Sequence, residues 1–98
     1  MPRFACNVEL EMEWGSARLR GRICDASANG MFIEAADPLW VGAGFRARLA
    51  LAEPVQVDCF VRRIEPGRGM GVSVALAEEG ARRHYQKFVQ SLARSEPG

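Results

Sequence analysis

The sequence predicts an all-β fold with a C-terminal helix, in which six antiparallel strands close into a barrel. Three observations carry this. Apolar and polar residues alternate without a break from Phe4 to Trp14, the period of a half-buried strand. Five further short apolar or alternating runs follow up to about residue 76, each bounded by Gly, Pro, Asp or Asn, as in small barrels and sandwiches. From about residue 78 to 93 the apolar period then lengthens to that of a helix. Closure is preferred because it removes exposed strand edges. The whole chain, residues 1–98, reads as one domain, long enough to bury a single core.

The first strand turns Phe4, Cys6, Val8, Leu10, Met12 and Trp14 to one side, and Asn7, Glu9, Glu11 and Glu13 to the other. Gly15-Ser16 is a two-residue hairpin loop with Gly in its first central position. The second strand sends Ala17, Leu19, Gly21 and Ile23 inward and Arg18, Arg20 and Arg22 outward. "DASANG" (residues 25–30) breaks the pattern before a short apolar third strand, Met31 to Ala35. Asp37-Pro38, Gly42 and Gly44 mark a loop, and Phe45, Ala47, Leu49 and Leu51 form a fourth strand alternating with Arg46 and Arg48. After Glu53-Pro54 the fifth strand starts at Val55; its phase slips at Arg62-Arg63, which predicts a bulge. Pro66 to Gly69 turn the chain into the sixth strand, Met70 to Leu76. In the last segment Ala81, Tyr85, Phe88, Val89 and Leu92 make a helical stripe. Glu78 and Glu79 stand at its positive end, and "RSEPG" is read as a fraying terminus.

Composition narrows the function. Apolar residues are 48% and charged residues 26%, ordinary for a soluble globular protein. Thirteen Lys and Arg against twelve Asp and Glu leave a net charge of +1, which argues against a duplex-DNA binder. No membrane-spanning run or signal peptide is visible. The three cysteines, Cys6, Cys24 and Cys59, form no C-x-x-C pair; buried free thiols in a reducing cytoplasm are expected. No metal or cofactor site is evident. His84 stands alone in the helix, and Glu9, Glu11 and Glu13 form a row on an open strand face, so no catalytic constellation is apparent and the chain is not read as an enzyme. Of the positive residues twelve are Arg and only Lys87 is Lys. Arg suits planar, bidentate recognition of phosphate and guanine, though coding bias in a GC-rich genome produces the same skew.

That leaves "DASANG". Asp25 can accept hydrogen bonds from a guanine-like edge or from Arg, Ser27 can offer its hydroxyl to phosphate, and Gly30 permits positive φ and close ligand approach. The same residues also describe a capped turn in which Asp and Ser bond their own backbone, and local chemistry alone favours the turn.

Asp25-x-Ser27-x-x-Gly30, between the second and third strands, resembles the D/N-x-S-x-x-G motif of PilZ domains. "RFACNVELEM" resembles the first strand of that family, "GRICDASANGMFIE" the motif with its flanks, "VGAGFRARLAL" the fourth strand, and "GMGVSV" the G-x-G-V-x-F stretch before the terminal helix. The resemblance implies a PilZ-like β-barrel and a receptor for the bacterial second messenger cyclic di-GMP. It further implies that Asp25, Ser27 and Gly30 hold guanine and phosphate on the outside of the barrel, with Arg22 and Asn29 as auxiliaries. Arg3 aligns with the second arginine of the family's R-x-x-x-R clamp; the first would fall four positions earlier, ahead of Met1. Arg18, Arg20, Arg22, Arg62 and Arg63 are the candidates to compensate. The family implies a protein partner as the output. The alternative it implies is a degenerate PilZ adaptor of pilus assembly or motility that binds protein only. Single-strand nucleic-acid binding would want exposed aromatics, whereas Phe4, Trp14, Phe45, Tyr85 and Phe88 follow core periodicity. Trp40, in the loop before the fourth strand, is the exception, as a partner contact or a barrel plug.

Overall fold

The computed structural model describes residues 2–95. Six strands, β1 (Phe4–Trp14), β2 (Ala17–Ala26), β3 (Gly30–Glu34), β4 (Gly44–Leu49), β5 (Val55–Glu65) and β6 (Gly69–Ala75), precede one helix, α1 (Glu79–Ser95). All neighbouring strands are antiparallel, and their order β1-β2-β3-β6-β5-β4 closes on itself through β4 and β1. The architecture is the one expected from the sequence. Of the "RSEPG" terminus, Arg94 and Ser95 belong to α1, and residues 96–98 lie outside the described residues.

The alternation sorts the side chains as the pleat demands. Leu10, Met12, Ile23, Met31, Ile33, Ala47, Leu49, Val57, Cys59, Val61 and Met70 form a continuous buried core. Gly15 sits at φ 60°, the backbone a tight hairpin requires of its first central residue. The register breaks between Val61 and Arg63, so the expected bulge is present and turns two consecutive arginines, Arg62 and Arg63, outward.

Two expectations are corrected. Trp14 is in phase with the core but stands at the rim, 38% exposed, because the barrel ends there. Trp40 is no plug: 58% exposed, it meets Trp14 edge-to-face with ring centroids 4.9 Å apart. The Glu9, Glu11 and Glu13 row is outward as expected, yet not isolated. It runs between Arg22, Arg20 and Arg18 of β2 on one side and Arg48 and Arg46 of β4, opposite Glu11 and Glu13, on the other.

Helix α1 packs against β5 and β1. It buries Tyr85, Phe88 and Val89 at the end of the barrel that carries the β2–β3 turn. None of the three cysteines is in a disulfide; Cys59 is buried, while Cys6 and Cys24 are only half-buried. Burial pushes the Cys59 thiol up to about 12 and the Cys6 thiol up to about 11.

Candidate functional site

The "DASANG" segment is less of a loop than its composition suggests. Asp25 and Ala26 still belong to β2, Gly30 already belongs to β3, and only residues 27–29 turn. The Ser27 N–H donates to the Gly30 carbonyl at 2.8 Å, and the Ser27 hydroxyl contacts the same oxygen at 3.4 Å. Ser27 is 5% exposed, so in this state its hydroxyl holds the turn. The Val74 N–H, in turn, donates to the Asn29 carbonyl at 2.9 Å and pins the tip to β6.

Gly30 is needed for a different reason from the one the sequence suggests. Its φ is not positive. A Cβ built on it would lie 2.4 Å from the Val72 carbonyl oxygen, so the constraint is the close approach of β6.

Beneath the turn, the fully buried Tyr85 hydroxyl lies 2.7 Å from the Ser27 carbonyl and 3.0 Å from the Gly30 carbonyl. The helix therefore donates directly into the motif's backbone. Burial first, and the nearby Cys59 thiol second, raise the Tyr85 phenol above its ordinary range, which keeps it a neutral donor at physiological pH. Sequence reading places Tyr85 in the core stripe and misses this bond.

Above the turn, Asp25 does not bond its own backbone. Its Oδ1 accepts from both Nε, at 2.8 Å, and Nη2 of Arg3. Arg3 thus fastens the segment just ahead of β1 to the motif, and both partners remain partly exposed.

Arg3, Ser27, Asn29, Gly30 and Met31 share a cleft of about 220 Å³ with Arg62 and Arg63 of β5 and Gly71, Val72 and Ser73 of β6. Arg62 donates from Nε to the Ser73 hydroxyl at 2.9 Å. Arg63 pairs with Glu65 at 3.2 Å. Of the five candidate arginines, these two reach the turn. Arg22 does not line the cleft: it pairs with Glu34 across β2 and β3, the contact that, after the Cys24 thiol, holds the Glu34 carboxyl below its usual range. Arg20 and Arg22 line a larger concavity of about 840 Å³ across β4, β1, β2 and β3. Glu9, Glu11 and Glu34 line it with them, so its charges largely cancel. The smaller cleft lies below the roughly 300–1,000 Å³ of typical ligand pockets. No group of three or more metal-ligating side chains occurs among the described residues, and none of their helices is long and apolar enough to cross a membrane.

The chain is thus a closed six-stranded barrel with a motif turn between its second and third strands and a helix hydrogen-bonded to that turn. The profile of the PilZ domain matches residues 1–91, and the chain belongs to that family. The structure is similar to the PilZ domain of CeSA from a cellulose-synthesizing bacterium, with TM-score 0.79 and 17% identity over 95% of this chain and 99% of that one. It is similar as well to the PilZ domain of Escherichia coli YcgR with c-di-GMP (TM-score 0.76, 15% identity, covering 95% of this chain and 89% of that one). Bacillus subtilis MotI/DgrA, an inhibitor of motility, aligns at TM-score 0.74 and 21% identity over 94% of this chain, which spans 47% of it. At these identities the likeness establishes the fold. No curated protein matches the chain in sequence.

Proposed function

We propose that this chain is a cyclic di-GMP receptor that relays the level of the second messenger to a protein partner in the cytoplasm. The observation that supports it above all is the cleft in which Arg3, Asn29 and the β2–β3 turn meet two further arginines. Cyclic di-GMP carries two anionic phosphates and two guanines, and guanidinium forks serve both. Asp25, an acceptor, suits the donor edge of guanine. Its exposed pairing with Arg3 is worth only about 0–1 kcal/mol, so a ligand rearranges it at little cost. Ser27 and Gly30 keep the turn in shape, and Asn29 offers an exposed amide at the rim. Family membership supports the same reading, as does the c-di-GMP bound by YcgR. Isothermal titration tests it: binding is expected, weakened about 10- to 100-fold by Asp25→Ala or Arg3→Ala.

A second reading has its own support. Trp14, Trp40, Val41 and Phe60 are exposed large apolar side chains, which suits an adaptor that contacts protein without the nucleotide. Retention of a pull-down partner with or without ligand, insensitive to Ser27→Ala, distinguishes it.

A further inference from the structure

Among the described residues, Arg62 is the charge in the cleft with no carboxylate partner. Arg3 is held by Asp25, and Arg63 by Glu65. Arg62 donates through Nε to the neutral Ser73 hydroxyl, and among the described residues no other side chain bonds it and no carboxylate pairs with it. Its two terminal nitrogens are not used in that bond and its side chain is exposed. The β5 bulge is the device that puts it there. An unbroken strand would turn Arg62 and Arg63 to opposite faces, but the shift between Val61 and Arg63 leaves both outward. Arg63 then lies flat over Gly71, where a Cβ would sit 3.1 Å from its Cγ. It also stands 6.0 Å from the centre of the Phe32 ring, so it is committed to the wall. Arg62 alone is aimed, anchored and unpaired.

We infer that Arg62 is the phosphate-contacting arginine of this site, with Ser73 as the residue that orients it. The inference rests on the cyclic di-GMP reading and names the residue, outside the recognised motif, that decides its affinity. A guanidinium fixed at Nε presents its remaining N–H groups as a ready fork for a phosphodiester oxygen pair. Such preorganisation lowers the cost of ordering the side chain on binding.

The test is titration of cyclic di-GMP into the wild-type chain and into Arg62→Ala, Arg62→Lys and Arg20→Ala. Arg62 is exposed, and a thermal melt of each variant verifies the fold. Arg62→Ala is expected to bind about 10- to 100-fold more weakly, Arg62→Lys to recover part of that loss, and Arg20→Ala to match wild type. Raising salt is expected to weaken wild type more steeply than Arg62→Ala. Wild-type binding with Arg62→Ala within about twofold of it, at equal salt dependence, overturns the inference and leaves the receptor reading standing. No wild-type binding overturns the receptor reading itself.

Discussion

At Gly30 the Val72 carbonyl oxygen lies 2.4 Å from the place of a Cβ, closer than any side chain tolerates, so a single methyl must push β3 away from β6. Gly30→Ala is expected to cost about 1–3 kcal/mol by overpacking and to loosen the turn that Ser27 closes onto the Gly30 carbonyl; urea unfolding reads it, and an unchanged midpoint contradicts it. Two buried protons make a second prediction at this scale. The Cys59 thiol is raised from its ordinary 9.0 to about 12 by burial, and the Tyr85 phenol is raised above its ordinary 10.0. The folded chain therefore holds both protons more tightly than the unfolded chain. Their contribution is complete below about pH 9 and falls as the pH rises through the folded-state values. The melting temperature is expected to decline from about pH 9 upward, and less steeply in Cys59→Val, where Cys6 and Tyr85 still contribute. A melting temperature level up to about pH 11 contradicts this.

Among the elements, α1 has two tasks joined in one residue. Its stripe of Tyr85, Phe88 and Val89 completes the core, and the Tyr85 hydroxyl ties that stripe to the carbonyls of Ser27 and Gly30. A ligand that reshapes the turn therefore acts on the helix through a hydrogen bond, without an intervening loop. Tyr85→Phe keeps the ring and leaves the Ser27 carbonyl without that donor, an expected loss of about 1–3 kcal/mol. Faster amide exchange in residues 27–30, with the β4–β5 ladder unchanged, is the local sign to measure; uniform exchange throughout contradicts a specific link. The strands and the helical stripe are legible in the sequence because their periods differ. The bulge is legible because Arg62 and Arg63 break phase. The Tyr85 bond is not, since its acceptors are backbone carbonyls that leave no mark in residue identity. Ser73, the anchor of Arg62, is visible only as a polar residue in "GVSVA". Its role appears once the register sets it beside Gly30 and Phe60.

For the molecule as a whole, closure is what brings the separately legible pieces together. The pairing of β4 with β1 joins residues far apart in sequence. It lays the Glu9–Glu13 row between two rows of arginine, so that a near-zero net charge is arranged as alternating stripes. Individually such exposed pairs contribute little, but the two arginine rows would repel if β2 lay beside β4, so the stripes favour β1 as the strand between them. Closure also decides which arginines lie beside the turn. Five are candidates by composition, and three of them, Arg18, Arg20 and Arg22, share a strand with Asp25. Yet it is β5, on the far side of β6 from the turn, that brings Arg62 and Arg63 to it. Adjacency along the chain points instead to the outward row of β2, which faces carboxylates of its neighbouring strands, Glu34 among them.

The central claim is that the β2–β3 turn, Arg3 and the β5 arginines form one nucleotide site. Calorimetric titration of cyclic di-GMP into the wild-type chain and into Asp25→Ala tests it most directly. The account predicts saturable heat for the wild-type chain and about 10- to 100-fold weaker binding for Asp25→Ala; no heat from the wild-type chain at several hundred micromolar ligand, or equal affinity of the two proteins, would contradict it.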